Sequence, residues 1–290
     1  MATLDDTRSG AAPWLLSAPA LLLFSTLLLA PLLLTLVLSF HTFSDIAGTQ
    51  PGWTLANYLE VIRDPYYLTI FARTAGLAAA VTLLSIVLGV PETIVLARMR
   101  KPWQSICLLV VLGPLLISVV VRTLGWQILL GNNGVLNDVL QALHITDEPV
   151  RLVFTMTGTI VALTHVLVPL MVMAVWATLQ KLDPQVEWAG LSLGASPMRV
   201  FRRVILPQIL PGVLSGSIIV FALSASAFAT PALIGGRRLK VVATAAYDEF
   251  LGTLNWPLGA SIAVLLLIAN VAIVMGCSRL AERRFKHIFD

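Results

Sequence analysis

Few residues in this chain could do chemistry, and they fall in three places. The first is DPQVEWAGLSLGASPMRVFRRVILPQILPG, residues 183–212. Asp183 can cap a helix N-terminus with Pro184 at the first helical position, where the missing N–H costs nothing. Gly194 suits a helix stop that needs a left-handed residue, and Ser196 with Pro197 repeats the cap and proline. Two short helices with a sharp turn between them are predicted. Glu187 stands one place too far from Asp183 for a capping box, which leaves its carboxylate for another partner. The second place is Glu92, which follows Pro91 in a mostly apolar stretch. A carboxylate surrounded by lipid is expensive and turns towards protein or water. Pairing or snorkelling towards Arg98, six residues on, competes there with a contact for a cation. The third is Tyr247, Asp248, Glu249 and Trp256, carboxylates beside aromatic faces. These suit an alkylammonium group through charge and cation–π attraction, although interfacial anchoring explains the aromatics equally well.

Other chemistries are poorly served. His41, His144, His165 and His287 are scattered, no HExxH occurs, and no Ser, His and Asp arrangement is suggested by spacing. His165 reads as a buried, hydrogen-bonded histidine. Cys107 and Cys277 lie 170 positions apart in apolar runs, which argues against a disulfide framework or a zinc site. There is no GxxxxGK[ST] phosphate loop, so the chain is not expected to hydrolyse a nucleoside triphosphate. No catalytic residue, metal site or cofactor of its own is expected.

The elements that must position these residues follow from composition. Of 290 residues, 58% are hydrophobic and 12% charged, against roughly a quarter charged in a soluble domain. The apolar surface exceeds what 34 charged side chains can dilute, so it must face lipid, and disorder is excluded. The +4 charge comes from short basic clusters between apolar runs, which argues against nucleic acid. Uncharged stretches at 9–44, 74–91, 102–121, 152–180, 204–236 and 250–278 can each cross about 30 Å of hydrocarbon. The prediction is an all-α membrane protein with six spanning helices in one domain at 14–280, flanked by segments 1–13 and 281–290. Open strands would leave backbone groups unpaired in lipid. Trp14 to Phe40 is too long for a cleaved leader, and Asp5, Asp6 and Arg8 are not a basic flank. Twelve of the 17 Lys and Arg residues outside spans fall on one side, which predicts both termini to be cytoplasmic. Arg237, Arg238 and Lys240 run against that bias. On the outer side Leu55, Tyr58, Leu59 and Ile62 predict an amphipathic helix after Thr54, at the interface or packed over the bundle. Residues 131–149 predict a turn and another short helix. Gly212 and Gly216 form a GxxxG, for packing within the chain or at a subunit interface.

Glu187, Ala189, Gly194, Leu206 and Pro207 resemble the signature of the integral-membrane subunits of binding-protein-dependent ABC importers, written E-A-A, three residues, G, nine residues, I, x, L-P. Trp188 stands in the middle of the triplet and Val204 in place of the Ile. In that family the loop is a coupling helix that docks in a groove on a cytoplasmic ATPase subunit. The resemblance implies Glu187 as its polar contact and Gly194 as its turn. It extends from about residue 15 to residue 280 and implies the type I importer permease fold. RTLGWQILLGNNGVLN at 122–137, ATPALIGG at 229–236 and NWPLGASIAVLL at 255–266 look like the polyamine branch, the spermidine/putrescine permease subunits. Related subunits for ferric iron, aminophosphonates and opine-like compounds share these segments. The implied assembly has two copies of an ATPase that binds ATP and Mg, a second, homologous but non-identical permease, and a periplasmic solute-binding protein. It would lie in a bacterial inner membrane. Glu92, Tyr247, Asp248, Glu249 and Trp256 are then candidates for the substrate path. A stand-alone channel or membrane enzyme is the rival outside this class.

Overall fold

The computed structural model describes residues 12–289. The Arg8 charge and most of the predicted segment 1–13 therefore lie outside the described residues. In chain order the elements are α1 (Ala12–Leu38), a hairpin of β1 (Thr42–Ser44) and β2 (Gly48–Gln50), α2 (Ala56–Arg63), α3 (Pro65–Arg98), α4 (Lys101–Leu116), α5 (Val119–Leu129), α6 (Val135–Ala142), α7 (Met156–Leu179), α8 (Pro184–Ser192), α9 (Pro197–Val200), α10 (Leu206–Ala225), α11 (Val242–Leu251) and α12 (Trp256–Phe289). In the antiparallel hairpin Phe43 lies opposite Thr49.

Five helical segments are long and apolar enough to cross a membrane: Ser17–Leu38, Pro65–Arg98, Met156–Leu179, Pro197–Ala225 and Trp256–Arg279. Chain direction requires a sixth crossing. α3 ends beside α8, where Arg98 pairs with Glu187, and α7 ends just before α8, so the chain between α3 and α7 must return to the far end. α4 and α5 make that return as a pair bent by 101°. The spanning helix predicted at 102–121 is thus broken. Pro114 leaves an i−4 carbonyl without its donor in the last turn of α4, Ile117 is extended at φ −90° and ψ 140°, and the Arg122 guanidinium donates to the Pro114 carbonyl.

The run at 204–236 also divides differently from the prediction. The helix begins at Pro197 and includes Arg199, Arg202 and Arg203, because counting charges finds where lipid begins and not where a helix begins. Phe201–Ile205 is wound as a π-helical turn in which Leu206 N–H donates to the Phe201 carbonyl. The predicted second short helix is therefore the first part of the fifth span. That span ends at Ala225, and residues 226–241 form a broken segment held where Phe154 N–H donates to the Ile234 carbonyl at 2.6 Å. α12 continues without a break through the predicted tail as far as Phe289.

α7 lies at the centre, against α3 and α10, with Leu77, Val81, Met171, Val175, Ile209 and Val220 buried between them. Small residues permit this approach: a Cβ on Gly89 would stand 2.9 Å from Met171 Cγ, and one on Gly216 2.8 Å from Met171 Sδ. The GxxxG face of α10 is thereby used within the chain, Gly212 also lying against the backbone of Ala174. α1 sits outside this core and leans on α12, with Leu22, Phe24, Leu27 and Leu28 all exposed.

α2 forms where expected, but the apolar residues Leu55, Leu59 and Ile62 face outwards. It is held instead through buried Val61 and Asn57, whose Nδ2 donates to the carbonyls of Ser39 and His41, each at 2.9 Å.

Candidate functional site

The loop at 183–212 is built as its residues dictate. Asp183 Oδ1 accepts from Gln185 N–H at 2.9 Å and Pro184 opens α8. At the far end Ala195 N–H donates to the Gly190 carbonyl and Gly194 N–H to that of Leu191, the paired bonds of a Schellman stop. Gly194 has φ +81°, with open space where a Cβ would project, so backbone strain alone selects glycine. Glu187 finds its partner in Arg98 of α3 at 2.9 Å, both exposed to solvent. This joins α8 to the last turn of a spanning helix.

Two features correct the sequence register. Counting three residues back from Gly194 places the triplet at Trp188, Ala189 and Gly190, so Glu187 stands one position before it. Gly190, passed over in the sequence reading, packs where a Cβ would lie 3.1 Å from Val200 Cγ2. A small residue there lets α8 lie on α9. Ala189 is exposed, as are Trp188, Leu193 and Met198. Leu206 and Pro207 are half-buried, and Leu206 packs against the central core.

Within the membrane region α3, α4, α5 and α7 enclose an open cavity of about 720 Å³, with Glu92, Trp126, Thr164 and His165 on its otherwise apolar wall. Glu92 is half-exposed to it and bonds to no side chain among the described residues; Arg98, the expected neighbour, is taken by Glu187. Trp126 Nε1–H donates to His165 Nδ1 at 3.1 Å. His165 is hydrogen-bonded as predicted but is exposed to the cavity rather than buried. The Thr164 hydroxyl is buried without a hydrogen-bond partner. Trp126 and Thr164 were not singled out from sequence; Trp126 could have been, since it lies in the distinctive segment 122–137.

The outer candidates form a separate group. Asp248 pairs with Lys240 at 2.8 Å, and Glu249 accepts from Tyr67 Oη at 3.2 Å and Thr253 Oγ1 at 2.7 Å. Tyr247 packs on Phe228 with ring centroids 4.8 Å apart, and Trp256, half-exposed, opens α12. Tyr67 and Glu92 are 25 residues apart on α3, about 38 Å along a helix, so these residues and Glu92 lie at different depths. Hydrogen bonding to Asp248 raises the Lys240 pKa against the opposing effect of burial. Burial, with Glu249 and Asp64 nearby, raises that of Glu60. Glu60 was missed because its acidic neighbour Glu249 is distant in sequence.

Residues 102–287 match the family described as binding-protein-dependent transport system inner membrane component. The chain belongs to that family. It is 31% identical over 263 residues to the spermidine/putrescine transport system permease protein PotB of Salmonella typhimurium (strain SL1344), covering 90% of this chain and 91% of the relative. The molybdenum transport system permease protein ModB of Mycobacterium bovis is 31% identical over 218 residues, covering 75% and 81%. In fold the chain resembles the crystal structure of a bacterial ABC transporter involved in import of the acidic polysaccharide alginate, with TM-score 0.79 and 16% identity over 93% of this chain and 96% of that one. The type I importer permease fold is therefore established, and the protein is a multi-pass inner membrane subunit of an ABC importer. ATP hydrolysis belongs to a partner ATPase, and a solute-binding protein completes the system.

Proposed function

We propose that this permease subunit imports polyamines such as spermidine or putrescine, handed over by a periplasmic solute-binding protein. The observation that carries this reading is the likeness to a spermidine/putrescine permease over 90% of the chain. The cavity supports it: an unpartnered carboxylate and an indole on an apolar wall suit an ammonium group leaving water. Asp248, Glu249, Tyr247 and Trp256 would meet the cargo first, at the outer end. A second, homologous but non-identical permease completes the membrane dimer, and both termini are cytoplasmic. Two ATPase copies, which bind ATP and Mg, dock on α8 through Glu187, Ala189 and the turn at Gly194, while Leu206 and Pro207 carry the movement into α10. Closure of the ATPase pair draws the coupling loops together and rocks the spans outward-facing.

Uptake of labelled spermidine and putrescine into vesicles containing the reconstituted importer tests this. Glu92→Gln should lower uptake roughly tenfold, the scale of one charged hydrogen bond, while capture by the binding protein is unchanged. Absence of uptake of both, with an anionic or neutral solute driving ATP hydrolysis, would leave the importer and remove its polyamine cargo.

A further inference from the structure

The end of α3 away from the coupling loop carries a basic pocket that neither the solute path nor the charge bias explains. It has a volume of about 390 Å³ and is lined by Tyr66, Thr69, Arg73, Arg237, Arg238 and Lys240, among others. Gly236, at φ +62°, turns the chain into the segment bearing the last three cations. Arg73 Nη1 donates to the Lys240 carbonyl at 3.2 Å and Val242 N–H to Thr74 Oγ1 at 2.9 Å, which pin that segment on α3. Asp248 is paired with Lys240, and Asp64, whose Oδ1 accepts the Tyr66 N–H at 2.8 Å, keeps its charge, which leaves Arg73, Arg237 and Arg238 in excess over it. Among the described residues nothing bonds the side chains of Arg237 and Arg238, and both are exposed. The cations Arg73, Arg237 and Arg238 outnumber the free carboxylates at this pocket, so it suits an anion.

Depth narrows the choice of anion. Arg73 and Arg98 are 25 residues apart on α3, about 38 Å along a helix. A bilayer measures about 40–45 Å including its headgroup layers. With Arg98 at the coupling face, Arg73 stands at the opposite headgroup layer, beside Tyr66, an aromatic of the kind that settles there. We propose that this pocket holds a phosphate group, that of an anionic phospholipid in the leaflet away from the coupling loop. Guanidinium forks match phosphate oxygens, and the neighbouring wall of Pro65 and Ile70 accommodates the glycerol end.

The assembled importer, delipidated in detergent, can be titrated with phosphatidylglycerol or phosphatidylcholine and read by native mass spectrometry. Phosphatidylglycerol should bind selectively, and Arg237→Gln with Arg238→Gln should weaken it roughly 30-fold, the scale of two interfacial cations. Arg151→Gln, an exposed cation outside the pocket, should change nothing. Displacement of the lipid by millimolar inorganic phosphate would support the phosphate site and make free phosphate a second source; resistance to it would support a site that needs the whole headgroup. Equal lipid binding by the wild type and the double variant would overturn the proposal. So would unchanged lipid binding with lost ATPase stimulation by the loaded binding protein, which would assign the pocket to an acidic protein face.

Discussion

At the scale of single residues, the turn after α8 depends on Gly194, where φ is +81° and no neighbour restricts a side chain. Gly194→Ala therefore costs roughly 1 kcal/mol of backbone strain, and the β-branched Gly194→Val more. Membrane insertion should survive while uptake and stimulated ATPase activity fall together, Val below Ala; normal uptake by Gly194→Val would contradict a coupling role. Glu60 gives a pH-dependent counterpart. Burial and the adjacent Glu249 and Asp64 raise its pKa above 4.5, so the folded state holds this proton more tightly than the unfolded state. Its contribution is favourable at low pH and declines as pH rises from about the unfolded value through the raised folded one. Glu60→Gln should raise the unfolding temperature more at pH 7 than at pH 4, because the raised pKa keeps more of the wild-type group protonated as pH falls. A decrease at pH 7 would show that the Glu60 carboxylate is held by attraction.

At the scale of elements, the contact between α8 and α3 rests on Arg98 and Glu187, a solvent-exposed pair whose coupling is about 0.5 kcal/mol and screened by salt. Arg98→Glu alone should lower thermal stability and ATP-coupled uptake. Adding Glu187→Arg should restore stability, and a double-mutant cycle should show the coupling fade at high salt; purely additive effects would mean that the pair does not join the helices. Such pairings mark the limit of what sequence shows. The cap at Asp183, the stop at Gly194 and the long apolar runs are local signals, and all are seen in the structure. The partner of Glu187 lies 89 residues away and the contact of Tyr67 with Glu249 spans 182, distances over which a sequence specifies no pairing. The break at Ile117 was missed because an apolar run looks the same straight or bent, although Pro114 and Arg122 were visible within it. The triplet was placed one residue early because Glu187 matched by identity, whereas the steric need for a small residue at Gly190 became visible only against Val200.

At the scale of the whole molecule, the direction of each span fixes which ends lie together. α3 and α7 both finish at the coupling loop, α10 leaves from it and α12 returns to it, so the bent pair α4 and α5 must complete one crossing between α3 and α7. α1 reaches the other end at Ser39, whose Oγ meets Tyr58 Oη at 2.5 Å, and so begins on the coupling side. The basic residues Arg98, Arg100, Lys101, Lys181, Arg199, Arg202 and Arg203 gather at that same end, which the positive-inside rule predicts to be cytoplasmic. Reporter fusions test both the count and the sign. Fusions after residues 145 and 248 should be active only as periplasmic reporters, and a fusion after residue 192 only as a cytoplasmic one. If α4 and α5 instead formed a re-entrant loop, residue 145 would report the same side as residue 192, and α7 would have to run opposite to the direction that places Leu179 beside α8. A cytoplasmic signal at 145 would therefore overturn the six-crossing architecture, whereas inversion of all three signals would keep the fold and reverse its orientation in the membrane.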